Sequence, residues 1–367
     1  MKRHVIAAIG LCCAAAAEPP AFSAEATVEG AGYHLVVDPV PDPNRGPLQV
    51  FLRASPQPVI YWAGRGILLS APKVEGPWVG IARQSGYRLE FPESQRFYRA
   101  VPAVRPVEVY VPPSYKPGIP APLIISLHGY RLEPDFQESL IPMKPLADER
   151  GFIYCLPRGE VNQTGATQWN GADCCGIYGS TRDDVAFLAG LVAVVSEQLS
   201  VDPKRVYLVG HSNGGFMAYR AACERADLFA GIASLAGATY YEPSDCAPVE
   251  PVSVLEIHGT SDEAVAYAGG LLPTGEPLPS AHETIARWAG YNGCAELMED
   301  TERTMELDLN VEGLDGTVSR YSNAPPGVGV ELWTIHGGTH YPLASREGES
   351  SELAVRIVDW LLAHPKP

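Results

Sequence analysis

The 367-residue sequence predicts an α/β protein, in which a mostly parallel sheet is covered by helices on both faces and preceded by a small antiparallel β module. Three observations predict it. Downstream of residue 104, short apolar runs alternate with segments of helical period. One of those strand-to-helix junctions carries the pattern Gly210-His211-Ser212-Asn213-Gly214. Upstream of residue 104, short β-type runs are broken by Gly and Pro.

The first segment, residues 1–24, reads as an export signal. Met1, Lys2 and Arg3 supply positive charge, residues 5–17 are apolar but too short to span a bilayer, and small residues follow at Ala21, Ser23 and Ala24. Secretion or periplasmic location follows, with no membrane association once the signal is removed. Residues 25–103 form the β module, with runs such as 59–62, 66–69 and 96–99. Its Trp62, Trp78 and Tyr98 fill a small core in the simpler reading and offer a binding surface in the other. Residues 104–367 form the main domain. Strands are expected at 107–111, 123–127, 152–156, 206–209, 232–235, 252–257 and 330–335. Helices are expected over 183–199, where Val185, Leu188, Val192, Val195 and Leu199 recur at helical spacing, over 213–224, around 284–288, and over 353–362. Continuous apolar strands separated by helices are the signature of a sheet buried on both faces.

The composition narrows the function. A formal net charge of -16 disfavours nucleic acid and anionic membrane surfaces as partners, whereas a neutral ester or polymer meets no such repulsion. No Cys or His spacing points to a metal, and no cofactor is required. Without Cys12 and Cys13, six cysteines remain (Cys155, Cys174, Cys175, Cys223, Cys246 and Cys294). Export permits disulfides, but the sequence does not choose among the possible pairings.

The candidate chemistry centres on Ser212. A strand that turns straight into a helix leaves no room for side chains two residues before or after the serine, which accounts for Gly210 and Gly214. The helix N-terminus beyond it points N–H groups at any oxyanion formed there. A serine hydroxyl needs a base. His340, on the Gly337-Gly338-Thr339 loop after the last strand, is preferred to His336, which can pack as the end of that strand. Asp262 follows the strand 252–257 and is preferred to its neighbour Glu263 as the acid that orients the base. The backbone N–H groups of Tyr130 and Asn213 are the expected oxyanion donors. His128 is read as structural.

These segments occur together in one order: Leu127-His128-Gly129, Trp169-Asn170, Cys174-Cys175-Gly176, Asp183-Asp184-Val185, the run 210–219, Ala222-Cys223, His258-Gly259-Thr260-Ser261-Asp262, Arg287-Trp288, Asn292-Gly293-Cys294 and Gly337-Gly338-Thr339-His340-Tyr341-Pro342. The set resembles the secreted polyhydroxybutyrate depolymerase and feruloyl esterase group of α/β-hydrolases over about residues 105–362. The resemblance implies an α/β-hydrolase fold and a triad of Ser212, Asp262 and His340. It also implies that Cys174 and Cys175 each pair elsewhere, with Cys223 and Cys246 as partners. A late cysteine common in the family is missing from Ser322-Asn323-Ala324-Pro325, which leaves Cys294 unpaired beside Cys155.

The expected activity is hydrolysis of carboxylic esters through an acyl-enzyme, on a polyester or on feruloyl or acetyl groups of a polysaccharide. Trp169 and Tyr341 are the substrate-binding candidates, beside predicted active-site loops, with core packing as their alternative. A peptidase of the same fold, or an inactive polymer-binding homologue, are the competing readings.

Overall fold

The computed structural model describes residues 107–367 except 163, 175–182, 300, 301 and 347–349, with backbone alone for 297–299 and for the strands found between residues 25 and 102. The expected export signal, and the side chains of Trp62, Trp78 and Tyr98, lie outside the described residues.

The chain divides into two compact units. Within Asp38–Pro106, strands Val50–Arg53, Val59–Trp62 and Tyr87–Arg88 make one antiparallel sheet. Strands Val79–Ala82, Gly66–Ala71 and Phe97–Pro102 make another.

The larger unit holds Glu25–Val37 and Val107–Pro367. Its strands are β1 (Glu25–Glu29), β2 (Gly32–Val37), β3 (Val107–Val111), β4 (Ala121–Leu127), β5 (Ile153–Leu156), β6 (Val201–His211), β7 (Gly231–Leu235), β8 (Ser253–Gly259), β9 (Leu297–Glu299), β10 (Gly316–Tyr321) and β11 (Val330–Ile335). They form one sheet in the order β1-β2-β3-β5-β4-β6-β7-β8-β11-β10-β9. Strands β5, β4, β6, β7, β8 and β11 are parallel, and the strands outside them are antiparallel. The β-rich unit is therefore shorter than the expected 25–103. Strands β1 and β2 belong with the large sheet, because β2 pairs with β3 from Tyr33↔Val111 to Val37↔Val107 and satisfies an edge that would otherwise be open.

Two-residue periodicity sorts the core. Leu123, Ile125 and Leu127 of β4, with Val206 and Leu208 of β6, pack on one face against α3 (Asp184–Gln198), α4 (Asn213–Glu224) and α5 (Ala281–Tyr291). Ile124, Tyr207, Val209, Leu255 and Ile257 pack on the other face with Leu140 of α1 (Pro134–Leu140), Leu146 of α2 (Lys144–Arg150) and residues of α6 (Glu352–Ala363). All seven residues of β4 are buried. At about 1.5–3 kcal/mol for each large aliphatic side chain, this double-sided burial is the main term holding the strand in place. Side chains start the helices where expected: Asp183 accepts from Ala186 N–H at α3, Ser280 and Glu283 form a capping box at α5, and Ser351 caps α6. Among the described residues no helix is long and apolar enough to cross a membrane.

Candidate active site

Strand β6 ends at His211, and α4 begins at Asn213, so Ser212 alone makes the turn. Its φ of 53° and ψ of -121° lie in a region that a side chain rarely occupies. The neighbours impose this conformation. Ser212 N–H donates to Leu235 O at 2.8 Å, and Ser212 O accepts from Phe216 N–H at 3.0 Å. A Cβ at Gly210 would stand 2.2 Å from Gly214 O, and one at Gly214 would stand 2.1 Å from Leu127 O. Only glycine permits β6, α4 and the end of β4 to come this close.

The loop after β4 runs alongside. A Cβ on Gly129 would be 3.4 Å from Ser212 Cβ, so the main chain that leads into Tyr130 passes the serine. Arg131 continues with a φ of 63° and donates its N–H to Thr167 O at 2.8 Å. His128 is structural, as expected: its Nε2 accepts from Gly159 N–H at 2.8 Å, leaving Nδ1–H to donate to Gly129 O at 2.8 Å.

Trp169 differs from expectation. It is fully buried, so it cannot line a cleft. Its N–H donates to Asn213 Oδ1 at 2.7 Å, Asn213 Nδ2 donates back to Trp169 O at 2.9 Å, and the indole N–H donates to His128 O at 3.0 Å. Trp169 therefore ties its loop to the elbow. Tyr341 is 47% exposed, and its ring lies 4.8 Å from that of His340 and 5.1 Å from that of His211. Phe136 of α1, 41% exposed, meets Tyr341 edge-on at 6.0 Å.

His340 and Asp262, 78 residues apart, meet in a 2.8 Å bond from His340 Nδ1–H to Asp262 Oδ2. That bond leaves Nε2 as the nitrogen able to accept a proton. Backbone packing joins the two loops. A Cβ on Gly259 would stand 2.2 Å from Gly338 O, and Ser261 N–H donates to that same oxygen at 2.9 Å. Asp262 Oδ1 accepts from the N–H groups of Ala264 and Val265, at 2.8 Å each. Burial opposes ionisation of Asp262, but bonds from His258 and His340 outweigh it and hold the carboxyl well below its ordinary range. His336 instead lies 2.9 Å from Thr317 Oγ1, and Glu263 is exposed.

Three further buried residues adjoin the site: His211 and His258, which stand in the motifs without a role, and Glu256, which the sequence analysis does not single out. His211 Nε2–H donates to His340 O at 2.9 Å, linking the residue before the serine to the histidine loop. Burial and the neighbouring His340 push His211 down to about 3, so it is neutral. Glu256 and His258 lie buried on β8 behind Asp262. The available signal was a glutamate inside the apolar run Ser253–Gly259, because a charged residue in a doubly covered strand needs a partner.

The cysteine pairing also differs from what the resemblance implied. Cys223, in the last turn of α4, bonds to Cys246 rather than to Cys174 or Cys175. The partners are 23 residues apart, a loop whose closure is worth about 3 kcal/mol. Cys174 is also disulfide-bonded, and Cys175 lies outside the described residues. Cys155 and Cys294 are free, as expected.

The sheet with its covering helices, and the sharp strand-to-helix turn on it, define the α/β-hydrolase fold. The chain belongs to the esterase family, whose model, described as "Putative esterase", matches residues 100–302, more than half of the chain. It is 32% identical over 243 residues to feruloyl esterase B of Piromyces equi, a match covering 64% of this chain and 42% of that protein. It is 29% identical over 217 residues to feruloyl esterase D of Neurospora crassa, covering 58% and 62%. The chain thus spans less than two thirds of the length of either relative. Among solved structures, the acetyl xylan esterase from Aspergillus awamori aligns with a TM-score of 0.49 at 15% identity, over 70% of this chain and 94% of that one.

Proposed function

We propose that this chain is a serine esterase in which Ser212 is the nucleophile, His340 the general base and Asp262 the group that orients the base. The observation that carries this reading is the 2.8 Å His340–Asp262 bond, joined through His211 to the strained turn at Ser212. Ser212 Oγ attacks the ester carbonyl while His340 Nε2 takes its proton. The N–H groups of Asn213 and Tyr130 hold the oxyanion. Collapse expels the alcohol, which takes the proton back from His340. Water then attacks the acyl-enzyme by the same proton path, releasing the acid and regenerating Ser212.

The substrate is an ester of a small acyl group, feruloyl or acetyl, on a polysaccharide. Two features support this beside the relatives' names as feruloyl esterases. Phe136 and Tyr341 offer exposed ring surface beside His340 for an aromatic acyl group. A polar depression of about 310 Å³, lined by Arg131, Glu133, Thr164, Gly165, Ala166 and Thr167, starts one residue beyond Tyr130 and suits a sugar chain. Residues 1–24 act as an export signal in this reading, and the enzyme meets its polymer outside the cytoplasm.

The test is Ser212→Ala with product assays on feruloyl-arabinoxylan, acetyl-xylan and polyhydroxybutyrate. Turnover is expected to fall by about 10⁶-fold with the fold unchanged, and a fluorophosphonate probe is expected to label the wild type at Ser212 alone. Retained turnover in the variant overturns the nucleophile assignment. Preference for anilides over esters makes the chain a peptidase. A folded wild type that is neither labelled nor active on any ester is a binding protein.

A further inference from the structure

Behind Asp262 the structure holds a second carboxylate–imidazole pair. His258 Nδ1 lies 3.0 Å from Glu256 Oε1. His258 Nε2 faces two acceptors, Val265 O at 2.8 Å and Asp262 Oδ2 at 3.4 Å. Glu256 Oε2 in turn accepts from the hydroxyl of Tyr219, on α4, at 2.8 Å. Glu256 and His258 are fully or almost fully buried. Asp262 Oδ2 is thus shared by two imidazoles, His340 on the open side and His258 on the buried side.

Geometry fixes the proton on Nε2, and the surrounding charge fixes the one on Nδ1. A carbonyl oxygen only accepts, so His258 Nε2 must carry a hydrogen to meet Val265 O. Nδ1 faces a carboxylate, and the ionised Asp262 against the opposite ring edge draws positive charge onto this imidazole. Both nitrogens are then protonated, and His258 is a buried cation between two buried anions. We infer that His258, held as an imidazolium by Glu256 and Tyr219, is a positioning residue that keeps Asp262 ionised and aimed at His340. This rests on the proposed roles of Asp262 and His340.

The charge balance explains why a glutamate is tolerated in a strand buried on both faces. Without His258, Glu256 and Asp262 would be two buried anions on one strand end. With it, Glu256, His258 and Asp262 together carry a single negative charge, which a protonated His340 balances once it has accepted the proton of Ser212. The other groups facing His258 are Tyr267, edge-on at 5.7 Å with His282 beyond it, and His340 and His211 across Asp262. Burial opposes the charge on His258, but its bonds to Asp262 and Glu256 prevail and lift it to about 9.

Two measurements test this. In ¹⁵N-histidine NMR of the wild-type protein, both ring nitrogens of His258 are expected to stay protonated from about pH 5 to about pH 8. An unprotonated ring nitrogen on His258 at neutral pH overturns the inference, and this readout needs neither a variant nor activity. With p-nitrophenyl acetate, His258→Gln is expected to lower kcat with KM changed less than about twofold. Loss of a buried positive charge makes the Asp262–His340 pair easier to protonate, so the acid limb of the kcat/KM profile should move up by about one pH unit. A purely structural role would lower activity without moving that limb, and an unmoved limb rejects the inference. If the wild type turns over no ester, the functional reading fails and the positioning role with it, while the NMR still reports the charge state.

Discussion

The two sides of the candidate site are built by different physics. On the side of the proposed nucleophile, backbone meets backbone: Gly210 and Gly214 leave no room for a Cβ, and the buried histidine next to Ser212, His211, is neutral. On the acid–base side, side chains meet side chains: Asp262 collects His340, His258 and two backbone N–H groups, and the buried histidine is charged. One side is held by steric exclusion and the other by a charge-balanced hydrogen-bond network. Damage should therefore register as lost stability on the first and lost chemistry on the second.

Asp262→Asn sharpens this contrast most. Asparagine keeps the size but presents the wrong groups to both imidazoles, so kcat should fall by about 10⁴-fold while thermal unfolding stays cooperative. A loss under tenfold would mean that Asp262 does not orient the base. Gly210→Ala should do the reverse. Its Cβ would sit 2.2 Å from Gly214 O, so stability should fall by about 3 kcal/mol in urea unfolding, and a variant as stable as the wild type would break the steric account.

The smallest expected effect separates the two histidines by pH. His211 titrates lower in the folded chain than its ordinary 6.5, so the unfolded chain binds the extra proton. Its contribution is complete above 6.5 and is lost as pH falls from there to about 3. His258 is shifted upward from 6.5, so its contribution is complete below that value and is lost as pH rises through about 9. Replacing His211 by Asn should flatten the fall of Tm on the acid side and leave the alkaline side alone. A change confined to the alkaline side would contradict these assignments.

Legibility followed the same division. The elbow could be read because one of its constraints is local: Gly210 and Gly214 lie four positions apart and exclude one another's side chains, and glycine records that directly, whereas the closeness of Gly214 to Leu127 O is a tertiary contact. The apolar parallel strands and the four longer helices were equally legible, since hydrophobic period is a short-range signal. The meeting of Asp262 and His340 was recovered in part, because each follows a strand that has to end at the same sheet edge. The burial of Trp169 stayed one of two open readings, since a tryptophan beside a loop looks the same in sequence whether it lines a cleft or ties two loops together. The transfer of residues 25–37 to the large sheet was not recovered, because that pairing depends on an edge formed 70 residues later.

The sequence by itself determined the fold class, the sharp turn at Ser212 and which histidine and aspartate were available to serve it, since each is encoded in residue type and short spacing. Only the tertiary structure decided that Asp262 stands between two imidazoles, that Glu256 and His258 neutralise each other behind it, and that Cys223 closes on Cys246. These contacts join groups on strand β8, helix α4 and the loops around them. Their charge and pairing depend on burial and distance, quantities that exist only once the sheet has assembled.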